Sequence, residues 1–118
     1  MTYTIYPGVS KPTIVNRPFE TTIKYILDYY NLKLADVMNK TKKHEIVLAR
    51  MFCMCALRYE HGWTLIRIAN YFHKKDHTTV RHAIATIKDL TATDSMILEQ
   101  AKIHCPNILV EIYWRKIK

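Results

Sequence analysis

Asp76-His77-Thr78-Thr79-Val80, followed at once by Arg81-His82-Ala83, is the stretch on which the fold turns. It stands directly behind a basic turn, His73-Lys74-Lys75, and has the residue types of a helix start. Asp76 can serve as N-cap, its carboxylate accepting from the otherwise unpaired amide of Thr78 or Thr79 and complementing the helix dipole. Behind it, Val80, Ala83, Ile84, Ile87 and Leu90 recur at helical spacing and form one apolar stripe. The opposite face carries Thr78, Arg81, His82, Ala85, Lys88 and Asp89. The unusual chemistry is gathered at the N-terminal end, and its residue types read base edges in a DNA groove rather than perform chemistry. A capped helix start with solvated threonines would carry the same residues, and His82 could equally pack on the preceding helix.

The preceding segment supplies a partner helix. In Thr64–Phe72, Leu65, Ile68, Ala69 and Phe72 share one face, Thr64 is placed to cap, and Gly62-Trp63 breaks the helix before it. Two short helices joined by His73–Lys75 make a helix-turn-helix.

With the preceding pattern read, Asp76–Val80 and the His82-Ala83 pair resemble the signature of the C-terminal DNA-binding domain of the bacterial replication initiator DnaA, within the Trp-repressor-like helix-turn-helix superfamily. A second patch agrees: Tyr29-Tyr30-Asn31-Leu32-Lys33-Leu34-Ala35-Asp36-Val37-Met38-Asn39-Lys40 is similar to that domain's opening. The resemblance runs from about Ile23 to Leu90, over half the chain. It implies an all-α fold, a compact helical bundle with a helix-turn-helix, that binds double-stranded DNA at boxes of the TTATCCACA type. It also implies roles for residues. Asp76, His77, Thr78 and Thr79 would face the major groove, and Arg81 and His82, on the polar face of the same helix, are expected to join them. Lys42, Arg50 and Arg58 would meet the DNA backbone or minor groove, and the basic residues Lys43, Lys74 and Lys75 are expected beside them, although Lys74 and Lys75 also read as solvated turn residues. Lys42 falls where the family places an arginine in the minor groove, and Arg50 and Arg58 where it places backbone-contacting cations.

The departures are local. A lysine at 42 lacks the flat guanidinium that suits a narrow groove. Met51 stands where a polar residue is usual, His44 replaces a basic residue, and Leu48-Ala49 alter the run before Arg50. Arg50 is also the only charge between Ile46 and Leu57, and so apolar a helix obliges it to find a partner or a route to solvent.

Charge points the same way independently. The chain has 18 Lys and Arg against 10 Asp and Glu, a formal +8. Lys33–Lys88 holds eleven basic and four acidic residues, so an excess of seven lies within the region of resemblance. Phosphate neutralisation by such a surface gives steep salt dependence. RNA or an anionic membrane would also attract it, but the sequence has no aromatic stacking platform, and duplex DNA fits better. The apolar run Ile46–Leu57 is too short to span a bilayer. No signal-peptide pattern opens the chain, and a cytoplasmic, nucleoid-associated protein with no membrane partner is expected.

At 118 residues one domain is expected. Residues 1–15 read as an extended arm, 16–105 as the helix-turn-helix domain and 106–118 as a C-terminal extension. Helix one should begin near Pro18 and bury Phe19, Ile23, Ile26, Leu27 and Tyr30. A helix over His44–Glu60, apolar nearly all round, should form the centre. Thr93 should cap a later helix with Met96, Ile97, Gln100 and Ala101 inward, ended by Pro106. Ile108–Trp114 fits helix or strand. Self-association through either terminus stays open.

Catalysis finds no footing. There is no GxxxxGK[ST] loop and no HExxH pair, so no enzyme and no ATPase is expected. Cys53, Cys55 and Cys105 have poor zinc spacing and read as buried thiols, and no metal or cofactor is implied. The leading function is sequence-specific duplex DNA binding in replication control or transcriptional regulation, with competition against a host initiator as one consequence. A Trp-repressor-like ligand-responsive regulator and a protein-interaction module without DNA affinity are the alternatives.

Overall fold

The computed structural model describes residues 16–40 and 43–117, with side chains through residue 112. The arm expected over residues 1–15 and the cation at Lys42 therefore lie outside the described residues. Among them run α1 (Phe19–Tyr29), α2 (Leu34–Met38), α3 (His44–Tyr59), α4 (Leu65–Tyr71), α5 (His77–Thr93), α6 (Ser95–His104) and α7 (Pro106–Ile117), with no strand. The fold is the all-α helix-turn-helix bundle that the sequence implies.

The centre is α3, which packs against α1, α2, α4, α5, α6 and α7. Leu48, Ala49 and the unbroken run Phe52–Leu57 are buried in it. A helix covered on all sides has no wet face to spare, which explains a segment apolar nearly all round. Arg50, at 9% exposure, is the charge inside this shell. Its Nε donates to the Val37 carbonyl and its Nη2 to the Asn39 carbonyl, both at 2.6 Å. Both acceptors lie at the C-terminal end of α2, where carbonyls lose their helical partners. One side chain thus satisfies a buried charge and fixes a five-residue helix against the core.

Two helices stop by the same device. After α1, Asn31 turns left-handed at φ 56°, and the Leu32 amide donates back to the Leu27 carbonyl at 2.9 Å. After α4, His73 turns left-handed at φ 58°, and the Lys74 amide donates to the Ala69 carbonyl at 2.8 Å. These are Schellman stops, with Asn and His tolerating the position where glycine is commonest. At the start of α4 the Thr64 hydroxyl accepts from the Arg67 amide at 3.1 Å, as expected of a cap. Phe19, Trp63 and Tyr71 then lock α4 to α1 through edge-on ring contacts.

In the C-terminal third the cap of α6 differs from expectation. Helix α5 continues through Thr93, and it is Asp94 that caps α6, accepting from the Met96 amide at 2.9 Å and the Ile97 amide at 3.4 Å. A carboxylate is the stronger acceptor at the positive end of a helix, so the cap falls one residue later. Met96 accordingly points outward, 70% exposed, while Ile97 and Ala101 are buried. The ambiguous segment after Pro106 is helical, and Ile108, Leu109 and Val110 lie in the same core as α3. Buried Glu60 secures the start of α7, its Oε2 accepting from the Asn107 amide at 3.1 Å. Pro106 takes the first position, where a missing N–H costs nothing.

The three cysteines are free and buried, and burial pushes the Cys53 and Cys105 thiols well up, so they are neutral packing groups. His104 is also buried, among the rings of Tyr29, Tyr30 and Phe52, and its Nε2 has no hydrogen-bond partner among the described residues. Burial lowers its pKa to about 4.

Three substitutions test these contacts, two at buried groups and one at an exposed group. Arg50→Ala leaves two carbonyls without their donor and should lower the unfolding free energy by roughly 2–3 kcal/mol in urea titration. Arg58→Ala, which removes one bond from an exposed guanidinium to the Trp63 carbonyl, should cost about 1 kcal/mol or less. For His104, the folded state resists a proton that the unfolded state accepts near pH 6.5. Its contribution is complete above that pH and declines as the pH falls toward 4, by up to roughly 3 kcal/mol. Comparing wild type with His104→Phe across pH 7 to 4 should show the variant losing less stability over this window.

Candidate nucleic-acid interface

The turn between α4 and α5 is short because the His73 stop reverses the chain at once, delivering Asp76 to the cap of α5. Asp76 Oδ1 accepts from the Thr78 amide and the Thr78 hydroxyl, both at 3.0 Å, and lies 3.2 Å from His77 Nδ1. These contacts, the Thr78 amide first and the hydroxyl second, hold the Asp76 carboxyl below the usual carboxylate range. The cap also sets the neighbours' chemistry. The Thr78 hydroxyl hydrogen is committed, so Thr78 offers an outside partner its lone pairs and an exposed methyl group.

Beyond the cap, helical geometry sorts the polar residues of α5 into two stripes. His77, Thr78, Arg81 and Ala85 follow one edge, with Thr78, Arg81 and Ala85 exposed. Thr79, His82 and Thr86 follow the other. They line a recess against α3 whose remaining walls are Val47, Arg50, Met51, Met54, Lys74 and Ala83. His82 is exposed and lines this recess.

The recess is electropositive for an identifiable reason. Lys74 has its pKa lowered by partial burial and then by the fields of Arg50 and Lys40. Like charges are crowded here and no Asp or Glu is among the described residues that line the recess, so an anion placed among them would relieve the repulsion. Helix α5 adds the positive end of its dipole beside them. Lys40 was not singled out in the sequence. The signal available was its membership of the run Lys40-Thr41-Lys42-Lys43, but its approach to Lys74 depends on how Arg50 holds the end of α2.

Of the residues expected to act together, the structure joins Asp76, His77, Thr78 and Arg81 along one stripe, and Arg50, Lys74, Thr79 and His82 around the recess. Lys75 is exposed in the turn, and Lys43 is exposed at the N-terminal boundary of α3. Arg58 sits apart, about two turns along α3 from Arg50, with Nη1 donating to the Trp63 carbonyl at 2.9 Å. Arg50 carries two tasks, since the nitrogens that bond α2 belong to the same guanidinium that borders the recess. No helix among the described residues is long and apolar enough to cross a membrane.

Comparison with known families agrees with this geometry. Residues 19–87, from the start of α1 into α5, match the family described as the bacterial dnaA protein helix-turn-helix. The matched span includes every residue of the two stripes and the recess, while the end of α5 and all of α6 and α7 lie beyond it. This is a DNA-binding domain family, not a catalytic one, and the chain belongs to it.

Proposed function

We propose that this protein binds duplex DNA sequence-specifically at a site of the DnaA-box type, without ATPase activity, in replication control or transcriptional regulation. The observation that carries the reading is the division of α5. Its outer stripe presents hydrogen-bonding groups and a methyl at a helix N-terminus, and its inner stripe borders a crowded set of cations. Groups of the first kind suit base edges in the major groove, and those of the second suit phosphate.

On this reading Asp76, His77, Thr78 and Arg81 enter the major groove, with the Thr78 methyl against a thymine methyl. Thr79 and His82 stand at the groove's edge, where Lys74, Lys75 and the open side of Arg50 meet the backbone. Lys42 and Lys43 approach the adjacent minor groove, and Arg58 a more distant phosphate. A protein with this reading head would sit on the nucleoid and compete with a host initiator for shared boxes. Self-association through the termini would let it occupy paired half-sites.

Fluorescence anisotropy with a duplex bearing a TTATCCACA-type box, beside a scrambled duplex of equal length at near-physiological salt, tests the proposal. Preference for the box of about ten-fold or more, roughly 1.4 kcal/mol, is expected. Thr78→Ala should cost on the order of 1–3 kcal/mol on the box alone. Lys74→Ala should weaken both duplexes and flatten the salt dependence. Equal affinity for the two duplexes would contradict box recognition, and absence of binding to either would contradict DNA reading altogether.

A further inference from the structure

Five arginine side chains are described, and four are engaged within the fold. Arg17 Nε donates to Thr22 Oγ1 at 2.8 Å, Arg50 holds the end of α2, Arg58 bonds the Trp63 carbonyl, and the Arg67 guanidinium lies 3.7 Å over the Trp63 ring. Arg81 alone among them makes no hydrogen bond or ion pair with a described residue, and it is exposed on the recognition helix. Its charge is one of the lesser causes that hold the Asp76 carboxyl down, five residues back.

Its neighbours define what it would meet. Arg81 follows His77 by four residues and Thr78 by three, so it continues their stripe about 6 Å further along the axis. That stripe is otherwise poor in free donors. Asp76 accepts, the Thr78 hydroxyl hydrogen is committed to Asp76, and His77 Nδ1 lies against the same carboxylate. Arg81 does not line the recess, where Arg50 and Lys74 stand, and its place on α5 puts it on the outer stripe with His77 and Thr78. One turn on, Ala85 is exposed and small, which lets a duplex approach closely and adds no contact of its own.

Resting on the proposed duplex reading, we infer that Arg81 is a specificity-determining residue that reads one guanine through N7 and O6. A planar fork of donors matches the two acceptors that guanine presents in the major groove, and no other base offers that pair. Arg81 thereby extends recognition beyond the first turn of α5 by one base pair.

The test starts from the consensus that wild-type protein selects out of random duplexes. Arg81→Ala should lose the preference for guanine at one position, about ten-fold or more, and keep the remaining positions. Replacing that guanine by 7-deazaguanine should weaken wild type by a similar factor and leave Arg81→Ala unchanged. Arg81→Lys, which keeps the charge, should retain affinity for scrambled duplex while its guanine preference falls. If Arg81→Ala keeps the whole consensus, Arg81 reads no base and the inference fails. If Arg81→Ala weakens consensus and scrambled duplex alike and lysine restores both, Arg81 contributes charge alone and the inference also fails. If wild type selects no consensus, the underlying duplex reading has failed first, and this inference falls with it.

Discussion

A charge inside a fully covered helix must bring its partners with it, and the bonds from Arg50 to the Val37 and Asn39 carbonyls meet that requirement. Helix α2 has five residues and buries Val37 alone, too little to hold itself in place. Anchored by Arg50, its end is drawn to the first half of α3, and Lys40 comes within electrostatic reach of Lys74. The cationic side of the candidate interface is therefore a product of core satisfaction. The same guanidinium that makes the interior consistent leaves a crowded positive recess at the surface.

The second constraint is the cap of α5. Asp76 gathers the Thr78 amide, the Thr78 hydroxyl and the His77 ring on one oxygen, which orders the first turn before any partner arrives. Such pre-organisation reduces the entropy that binding must otherwise overcome. It also decides polarity, because a threonine whose hydrogen is already given can only accept. Recognition by this helix is thus shaped by its cap as much as by its exposed side chains. The edge-on cluster of Phe19, Trp63 and Tyr71 keeps α4 at a fixed angle behind it.

Local chemistry made much of this legible in the sequence. The stripes of α1, α4 and α5, the Thr64 and Asp76 caps and the buried character of α3 follow from spacing and capping over a few residues. Thr93-Asp94 shows where that legibility ends, since both residues can cap and only the path of α5 decides between them. Ile108–Trp114 was undecidable for a stronger reason. Its helical state depends on burial beside α3 and on Glu60, a partner 47 residues earlier in the chain. The partners of Arg50, the crowding of Lys40 with Lys74, and the solitary burial of His104 likewise arise from contacts between distant segments, which periodicity does not encode.

The central claim is that one end of α5 and the recess beside it form the surface that meets DNA. Backbone amide chemical shifts of the labelled protein, followed as a duplex bearing the selected site is added, test it most directly. The largest changes are predicted over residues 74–82 and around Asn39, Lys40 and Lys43, with α6 and α7 little affected. Changes centred instead on Tyr25, Tyr29, Met96 and Ile103, exposed apolar residues of α1 and α6, would contradict it.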